Sequence, residues 1–186
     1  NWAVAQATGT MLLFLNNDIE VLHRGWLEAL AEHAQRPEVG AVGGRLFYPD
    51  GLVQHAGVVV GIGGFADHPW AGSHPDAWTP AGPSYWVRNV LAVTGACLMV
   101  ERTKFEKVGG FDERFIVCGG DVDLCIRLYE AGLLNIMTPF ARLLHRESAS
   151  RKIEPPENDV AQSVRAYARY LRNGDPFYNP NLTLLD

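Results

Sequence analysis

A chain of 186 residues, of which 47% are hydrophobic, is long enough to bury the core of one domain. Its formal net charge of -5 argues against a broad nucleic-acid surface, which would need an excess of positive charge. No apolar run approaches the roughly 20 residues of a membrane span, and the first residues do not resemble a signal peptide.

The first half of the chain alternates between apolar strands and a helix. Residues 1–7 have the pattern of the last turns of a helix, which indicates a fragment of a longer protein. Strands are predicted at 11–15, 39–46 and 53–62, with a helix at 25–35. Residues 61–89 are rich in glycine, proline and tryptophan, and we expect either a binding loop or a segment packed on the sheet.

The second half continues the alternation. A strand at 90–100, interrupted at Gly95, precedes a short helix at 102–108 and the clearest helix of the chain at 121–131. A short strand at 135–138 leads into a loop that reaches His145, and an amphipathic helix is predicted at 158–172. This order of strands and helices predicts an α/β domain with a mixed sheet.

The three cysteines, Cys97, Cys118 and Cys125, form neither a CxxC motif nor a disulfide framework. Each lies among apolar residues, so we predict buried, reduced thiols. Reduced thiols in turn indicate a cytosolic location.

Polar residues directly follow the first predicted strand. Asn16, Asn17 and Asp18 come after the apolar run 11–15, and ligands of open α/β sheets bind beyond the carboxyl ends of strands. A carboxylate with amide oxygens nearby suits a hard cation such as Mg²⁺ or Mn²⁺. The alternative for Asp18 is an ordinary turn or helix-capping role.

An acidic pair opens the clearest predicted helix. Asp121 precedes Leu124 and Cys125 by three and four residues, and this spacing directs it toward the apolar side, where a carboxylate can act as a general base. Gly120, just before it, would let a substrate approach the backbone closely. Both Asp121 and Asp123 could instead complement the helix dipole, and Asp123 is also spaced to pair with a basic residue one turn later.

A histidine near the end of the chain is the third candidate. Imidazole is a common ligand of divalent metals, so His145 could complete a Mn²⁺ site with Asp18. Arg146 and Arg151 could hold phosphate oxygens. A lone histidine after an apolar pair is also typical of a structural residue. We hypothesise that Asp18, Asp121 and His145 meet in one cleft.

Together, five segments of the chain resemble the family 2 glycosyltransferases with the GT-A fold, closest to the rhamnosyltransferase-like branch. The segments run in the family's order, cover about residues 1–151, and contain the motifs LNND, TGAC, FEKVGGFDE, GDVDLCIRL and HRESASR. The resemblance implies a GT-A-like mixed sheet flanked by helices, with the N-terminal nucleotide-binding strands missing. Residues 1–151 would form the C-terminal part of the transferase domain, and residues 152–186 a terminal helix and tail.

The resemblance also implies roles for individual residues. Asp18 matches the metal-binding DxD-type motif, Asp121 matches the catalytic base, and His145 matches a further metal ligand. Gly120 stands where the family has a glutamate, and this departure puts the acceptor contacts in doubt. The candidate substrate-binding residues are Asn16, Asn17, Gly95, Gly120, Asp123, Arg146 and Arg151.

The function implied is inverting transfer of a sugar from a nucleotide-diphosphate donor to a saccharide or lipid-linked acceptor in bacterial polysaccharide synthesis. The implied cofactor is Mn²⁺ or Mg²⁺, and nucleic acid is not an expected partner. A cytoplasmic protein is expected, and association with the inner face of the membrane stays open. Because a sheet without its first strands exposes an edge, we also expect the fragment to self-associate.

Two other functions are open. A degenerate, non-catalytic module that binds sugar nucleotides or glycans would fit Gly120 and the missing strands. A metal-dependent hydrolase would need a tighter cluster of histidines and acids than the sequence offers.

Overall fold

A computed structural model describes residues 1–146 and 155–185 of the chain. Within these residues the strands are β1 (Met11–Leu15), β2 (Ile19–Val21), β3 (Val39–Phe47), β4 (Val53–His55), β5 (Val59–Val60), β6 (Ala66–Asp67), β7 (Arg88–Val90), β8 (Cys97–Glu101) and β9 (Leu134–His145). The helices are α1 (Trp2–Gln6), α2 (Trp26–Ala34), α3 (Arg102–Lys107), α4 (Gly120–Glu130) and α5 (Glu157–Asn173). A short 3-10 turn spans Ile62–Gly64.

One mixed sheet contains all of these strands except β5 and β6, which pair with each other. Its order is β1-β8-β3-β9-β2, with β4 added beside β3 and β7 beside β9. The β3–β9 pair is parallel, and the other pairs in the sheet are antiparallel. β3 is buried along its whole length because it lies between β8 and β9.

Two hydrophobic layers cover the sheet. Alternate residues of β3 point to opposite faces, so Val42 packs in one layer and Ala41 in the other. The first layer includes Leu30 of α2. The second includes Leu124 of α4 and Tyr167 of α5. Helices therefore flank both faces, as the α/β prediction requires.

Most predicted elements are confirmed, and two predicted strands are interrupted. Strand 53–62 breaks at Gly57, which has φ +114° and whose added Cβ would lie 2.7 Å from Cγ1 of Val90. Strand 90–100 stops at Val90 and resumes at Cys97. The irregular residues 91–96 separate these two strands, and Gly95 among them lines the cavity described below.

The predicted loop before His145 is wrong, because β9 continues without interruption to that residue. Its pairing with β3 shifts between Thr138 and Arg142. Pro139 lies in the shifted stretch and has no N–H to donate, so the proline accompanies a bulge in β9 and does not end the strand.

The glycine- and tryptophan-rich stretch combines both expected behaviours. Trp70 is buried in the core, whereas Trp78 and Trp86 are exposed and pack edge to face. Phe65 and His68 line a cavity of about 630 Å³. In those residues no helix is long and apolar enough to cross a membrane.

Candidate active site

A cavity of about 630 Å³ lies beyond the carboxyl end of β1, beside the last residue of β9. Five of the residues proposed from the sequence line it: Asn16, Gly95, Gly120, Asp121 and His145. Two groups of residues are defined around the cavity. The cation side consists of Asn16 and His145, which line the cavity, and of Asp18 and Gln54, which do not line it but contact His145. The base side consists of residues 112–121 together with Gly95.

The cation side is assembled by strand pairing. Asn16 follows β1 and donates its backbone N–H to the carbonyl oxygen of Ala96 at 3.0 Å. Antiparallel pairing of β2 with β9 places Ile19 opposite His145. This register brings Asp18 against the imidazole, although the two residues are far apart in the sequence.

Gln54 sets the orientation of the His145 ring. The Oε1 atom of Gln54 lies 2.7 Å from Nδ1 of His145 and accepts its hydrogen. A neutral imidazole with its proton on Nδ1 carries its lone pair on Nε2, which can accept a hydrogen bond or bind a cation. Nε2 faces Nδ2 of Asn16 at 3.2 Å and Oδ1 of Asp18 at 3.2 Å.

The contact between Asp18 and His145 suits a bound cation. Oδ1 of Asp18 is buried and accepts no hydrogen bond, although Nε2 of His145 is only 3.2 Å away. A carboxylate oxygen facing a lone pair is unfavourable unless a positive charge lies between them. A carboxylate and an imidazole oriented through its second nitrogen form a suitable donor pair for Mn²⁺.

The described residues provide only part of such a coordination shell. Within 1–146 and 155–185, no three His, Cys, Asp or Glu side chains come together as a metal site. Mg²⁺ and similar ions are often held by one or two carboxylates, with substrate phosphates and water completing the shell. Asp18 and His145 therefore fit a cation that is completed by a phosphorylated ligand.

The base side is organised around Asp121, the second residue of α4. Its Oδ2 atom accepts the backbone N–H of Gly95 at 2.7 Å, and Oδ1 accepts that of Val122 at 2.9 Å. An added Cβ on Gly95 would lie 3.3 Å from Cβ of Asp121, so a small residue allows this approach. The carboxylate is thus fixed against the cavity by two backbone donors.

Helix α5 holds the loop that precedes Asp121. The buried carboxylate of Asp159 accepts the backbone N–H groups of Ile116, Val117 and Cys118 at 2.8, 2.7 and 3.0 Å. The hydroxyl of Tyr167 donates to the carbonyl oxygen of Gly119 at 2.7 Å. The loop therefore takes its shape from side chains about 40 residues downstream.

No protein-family model matches the chain. The O-antigen biosynthesis protein RfbC of Myxococcus xanthus is 54% identical over 187 residues, which cover 99% of this chain and 15% of that protein. The N-acetylglucosaminyl-diphospho-decaprenol L-rhamnosyltransferase of Mycobacterium tuberculosis is 34% identical over 155 residues, covering 77% of this chain and 49% of that enzyme.

Solved structures show the same fold. GalNAc-T7 with UDP, GalNAc and Mn²⁺ superposes with a TM-score of 0.61 over 90% of this chain and 34% of that protein. The mannosyltransferase PcManGT of Pyrobaculum calidifontis, with GDP-Man and Mn²⁺, gives 0.52 over 93% and 42%. Both are 16% identical to this chain, so these likenesses establish the fold alone.

The chain therefore has the GT-A fold, and the two relatives named above are an O-antigen biosynthesis protein and a rhamnosyltransferase. The resemblance drawn from the sequence, including its rhamnosyltransferase-like character, is confirmed. The chain spans less than half of the length of the two relatives described, so the activity of the whole protein is a matter for proposal.

Several predicted substrate-binding residues lie away from this cavity. Asn17 is exposed in the turn after β1 and does not line it. Asp123 is buried in an ion pair with Arg127, 2.7 Å between Oδ2 and Nη2. Arg146 pairs with Glu20 on the surface. Arg151 lies outside the described residues. Binding roles for these four residues stay predictions.

The prediction that all three thiols are buried is wrong for one of them. Cys97 and Cys125 are buried and free, and burial raises the pKa of each to about 12. Cys118 is only half-buried and lines the cavity. The sequence places Cys118 beside Ile116 and Val117, which suggested a core, but both of those residues are exposed.

Sequence reasoning missed three residues that line the cavity or position its side chains. Gln54 is a polar residue inside a predicted apolar strand, and that inconsistency was a usable signal. His68 lines the cavity from a loop without a recognisable motif. Asp159 resembles any acid in the first turn of a helix, and only the folded chain shows that it caps a distant loop.

Proposed function

We propose that the protein containing this chain is an inverting glycosyltransferase. It transfers a sugar from a nucleoside-diphosphate donor to a saccharide or lipid-linked acceptor, in bacterial polysaccharide synthesis. The observation that carries the proposal is the cavity shared by His145, in contact with Asp18, and Asp121, fixed by two backbone donors. The names of the relatives, an O-antigen biosynthesis protein and a rhamnosyltransferase, support the same reaction class.

The cation side would hold the metal and, through it, the diphosphate. Asp18 and His145 would bind Mn²⁺ or Mg²⁺, which when present offsets the negative charge that develops on the departing diphosphate. Gln54 accepts the Nδ1 proton of His145 and so keeps the Nε2 lone pair available. Both solved neighbours were determined with Mn²⁺, which supports the use of a divalent cation in this fold.

The base side would activate the acceptor. Asp121 takes the proton of an acceptor hydroxyl as that oxygen attacks the anomeric carbon, on the face opposite the diphosphate. The C–O bond to the diphosphate breaks as the new glycosidic bond forms, so the configuration inverts and no covalent enzyme intermediate is needed. The N–H groups of Gly95 and Val122 hold the carboxylate in one orientation, which preserves the geometry of attack.

Two substitutions in the full-length protein test these roles separately. Asp121→Asn removes the base and lowers turnover by about 10²–10⁴-fold, because general-base catalysis contributes that much. Its Mn²⁺-dependent binding of nucleoside diphosphates is retained. Asp18→Ala abolishes that binding, and excess Mn²⁺ does not restore turnover. Asp50→Asn, on an exposed turn, is the matched control and leaves both measurements unchanged.

The outcomes separate the proposal from its main alternative. Near-normal turnover in Asp121→Asn would rule out the base assignment, and unchanged metal dependence in Asp18→Ala would rule out the metal assignment. Mn²⁺-dependent nucleotide binding by the unaltered protein, with no transfer to any saccharide or lipid-linked acceptor tried, would instead favour a non-catalytic binding module.

A further inference from the structure

A pair of histidines, one of which lines the cavity, has no part in the proposed chemistry. His55 is the last residue of β4 and is 1% exposed. His68 is half-buried in the loop after β6 and lines the cavity. Their Nδ1 atoms are 2.9 Å apart, and the rings meet edge to face with centroids separated by 4.8 Å.

The hydrogen bonds around this pair fix the position of each proton. The backbone N–H of Thr94 donates to Nε2 of His55 at 3.5 Å, so that nitrogen is an acceptor. His55 then carries its proton on Nδ1 and donates it to Nδ1 of His68. Since Nδ1 of His68 accepts, the proton of the neutral His68 ring is on Nε2.

Burial keeps this arrangement in place. Desolvation lowers the pKa of His55 well below its ordinary value, and the neighbouring imidazoles of His68 and His145 lower it further. His55 therefore remains a neutral ring with a single N–H near neutral pH. Among the described residues, no hydrogen bond involves Nε2 of His68, so none of these residues uses its N–H.

Two consecutive residues of β4, Gln54 and His55, thus orient the imidazoles of His145 and His68. Gln54 accepts from Nδ1 of His145 and leaves an acceptor on Nε2, which suits a cation. His55 donates to Nδ1 of His68 and leaves a donor on Nε2. The same cavity therefore receives two neutral histidines with opposite hydrogen-bonding character.

We infer that His68 is a substrate-binding residue whose Nε2–H donates to a hydroxyl oxygen of a sugar held in the cavity. The inference rests on the proposed function, because it assumes that a sugar occupies this space. A neutral single donor suits a hydroxyl better than a diphosphate, which usually attracts charged donors. Val58 and Phe65 line the same cavity and offer apolar surface to the C–H groups of a pyranose ring.

The sugar has two sources, the donor nucleotide or the acceptor, and the experiment distinguishes them. Full-length protein is assayed with the substrates that a panel of nucleoside-diphosphate sugars and saccharide acceptors identifies. His68→Ala raises the KM of one of the two substrates by about tenfold, the effect of losing one neutral hydrogen bond in a buried site. The substrate whose KM rises is the one that His68 contacts.

Two further variants and a binding measurement complete the test. His68→Gln keeps an N–H near the same position and recovers most of the lost affinity. His74→Ala, which removes an exposed histidine outside the cavity lining, changes nothing. Calorimetric binding of UDP or GDP with Mn²⁺ is the same in all three variants as in the unaltered protein, because neither nucleotide carries the transferred sugar.

Each contrary result has one meaning. Unchanged KM values for both substrates in His68→Ala would overturn the inference while leaving the proposed function intact. A tenfold loss of UDP or GDP binding in His68→Ala would also overturn it, since His68 would then contact the diphosphate. If the unaltered protein binds no nucleoside diphosphate with Mn²⁺, the proposed function fails, and this inference fails with it.

Discussion

The two sides of the cavity are built by different means. Backbone pairing at the sheet edge positions the cation side, where Asp18 and His145 meet because β2 pairs with the end of β9. No strand contributes residues 112–119 of the base side, and side chains of α5 hold that loop instead. The cation side should therefore tolerate substitutions in α5, whereas the base side should not.

Gly119→Ala should show the largest difference between an effect on the base side and an effect on the cation side. Gly119 has φ +88°, and an added Cβ would lie 2.5 Å from Oγ of Ser163 and 2.9 Å from the Tyr167 hydroxyl. The backbone strain costs about 1–2 kcal/mol, and the clash displaces α5 or the loop. We expect a lower melting temperature and a loss of transfer exceeding about 10²-fold, with a smaller loss of Mn²⁺-dependent nucleotide binding.

Gly109→Ala is the matched control for this substitution. Gly109 has φ +86°, but an added Cβ would meet nothing within 4 Å. It therefore introduces the same strain without the clash. Equal effects of the two variants on transfer would show that contact with α5 does not shape the base side.

Asp159→Asn tests the three hydrogen bonds by which Asp159 holds residues 116–118, which we call the clamp. The variant loses the charge and one of two acceptor oxygens that receive three backbone N–H groups. We expect kcat to fall by about 10²-fold, because a shift of 1 Å in a reacting group can cost that much. The KM of the donor should change little. Glu157→Gln, exposed on the same turn of α5, is the control.

A fall in donor affinity of the same size in Asp159→Asn would contradict the comparison. It would mean that the clamp on the base side also determines the geometry of the cation side.

Gln54→Met is the converse test, on the cation side. Methionine has a similar length but gives the Nδ1 proton of His145 no strong acceptor, so the ring is no longer held. We expect the Mn²⁺ concentration for half-maximal activity to rise by about 10–100-fold, as for other residues that orient metal ligands. At saturating Mn²⁺ kcat should recover. Gln35→Met, on the surface, is the control.

Tyr167→Phe should have a smaller effect on the base side. It removes one hydrogen bond, from the hydroxyl to the carbonyl oxygen of Gly119, and leaves the ring in the core. A single neutral hydrogen bond stabilises a protein by about 0.5–1.5 kcal/mol, so chemical denaturation should show a loss of that size. Tyr170→Phe, whose hydroxyl bonds to Glu130 instead, should leave transfer unchanged.

The sequence revealed the cation side more completely than the base side, for a physical reason. Asp18 follows an apolar strand, and strand ends are visible in the hydrophobic pattern. His145 was proposed because imidazole is a common metal ligand, although the strand that carries it was predicted as a loop. Asp121 was found because it opens a strongly periodic helix. Asp159 also lies in the first turn of a helix, but its partners are about 40 residues away, and local periodicity carries no information about them.

The breaks within strands were equally hidden. Gly57 lay inside a predicted strand and Pro139 in a predicted loop, yet Gly57 splits its strand and Pro139 lies in a bulge of a continuous one. The difference depends on neighbours, since Gly57 must approach Val90 closely, whereas Pro139 lies where the pairing with β3 is already displaced. His68 had no local signal, because its role depends on the ring of His55.

The alkylation rate of Cys118 should show the smallest of these differences between the two sides. Cys118 lines the cavity within the base side. Burial, followed by the negative charges of Asp159 and Asp121, raises its pKa above the ordinary value, so less thiolate is present at a given pH. The thiolate is the reactive form, and iodoacetamide should therefore label Cys118 more slowly than a free thiol at about pH 8. Labelling should accelerate as the pH rises beyond that value.

Asp159→Asn removes one of these charges and loosens the loop, so it should speed the reaction, whereas Gln54→Met should leave it unchanged. Mass spectrometry of the labelled peptide measures both rates, and equal rates in the two variants would show that the sides are not independently held.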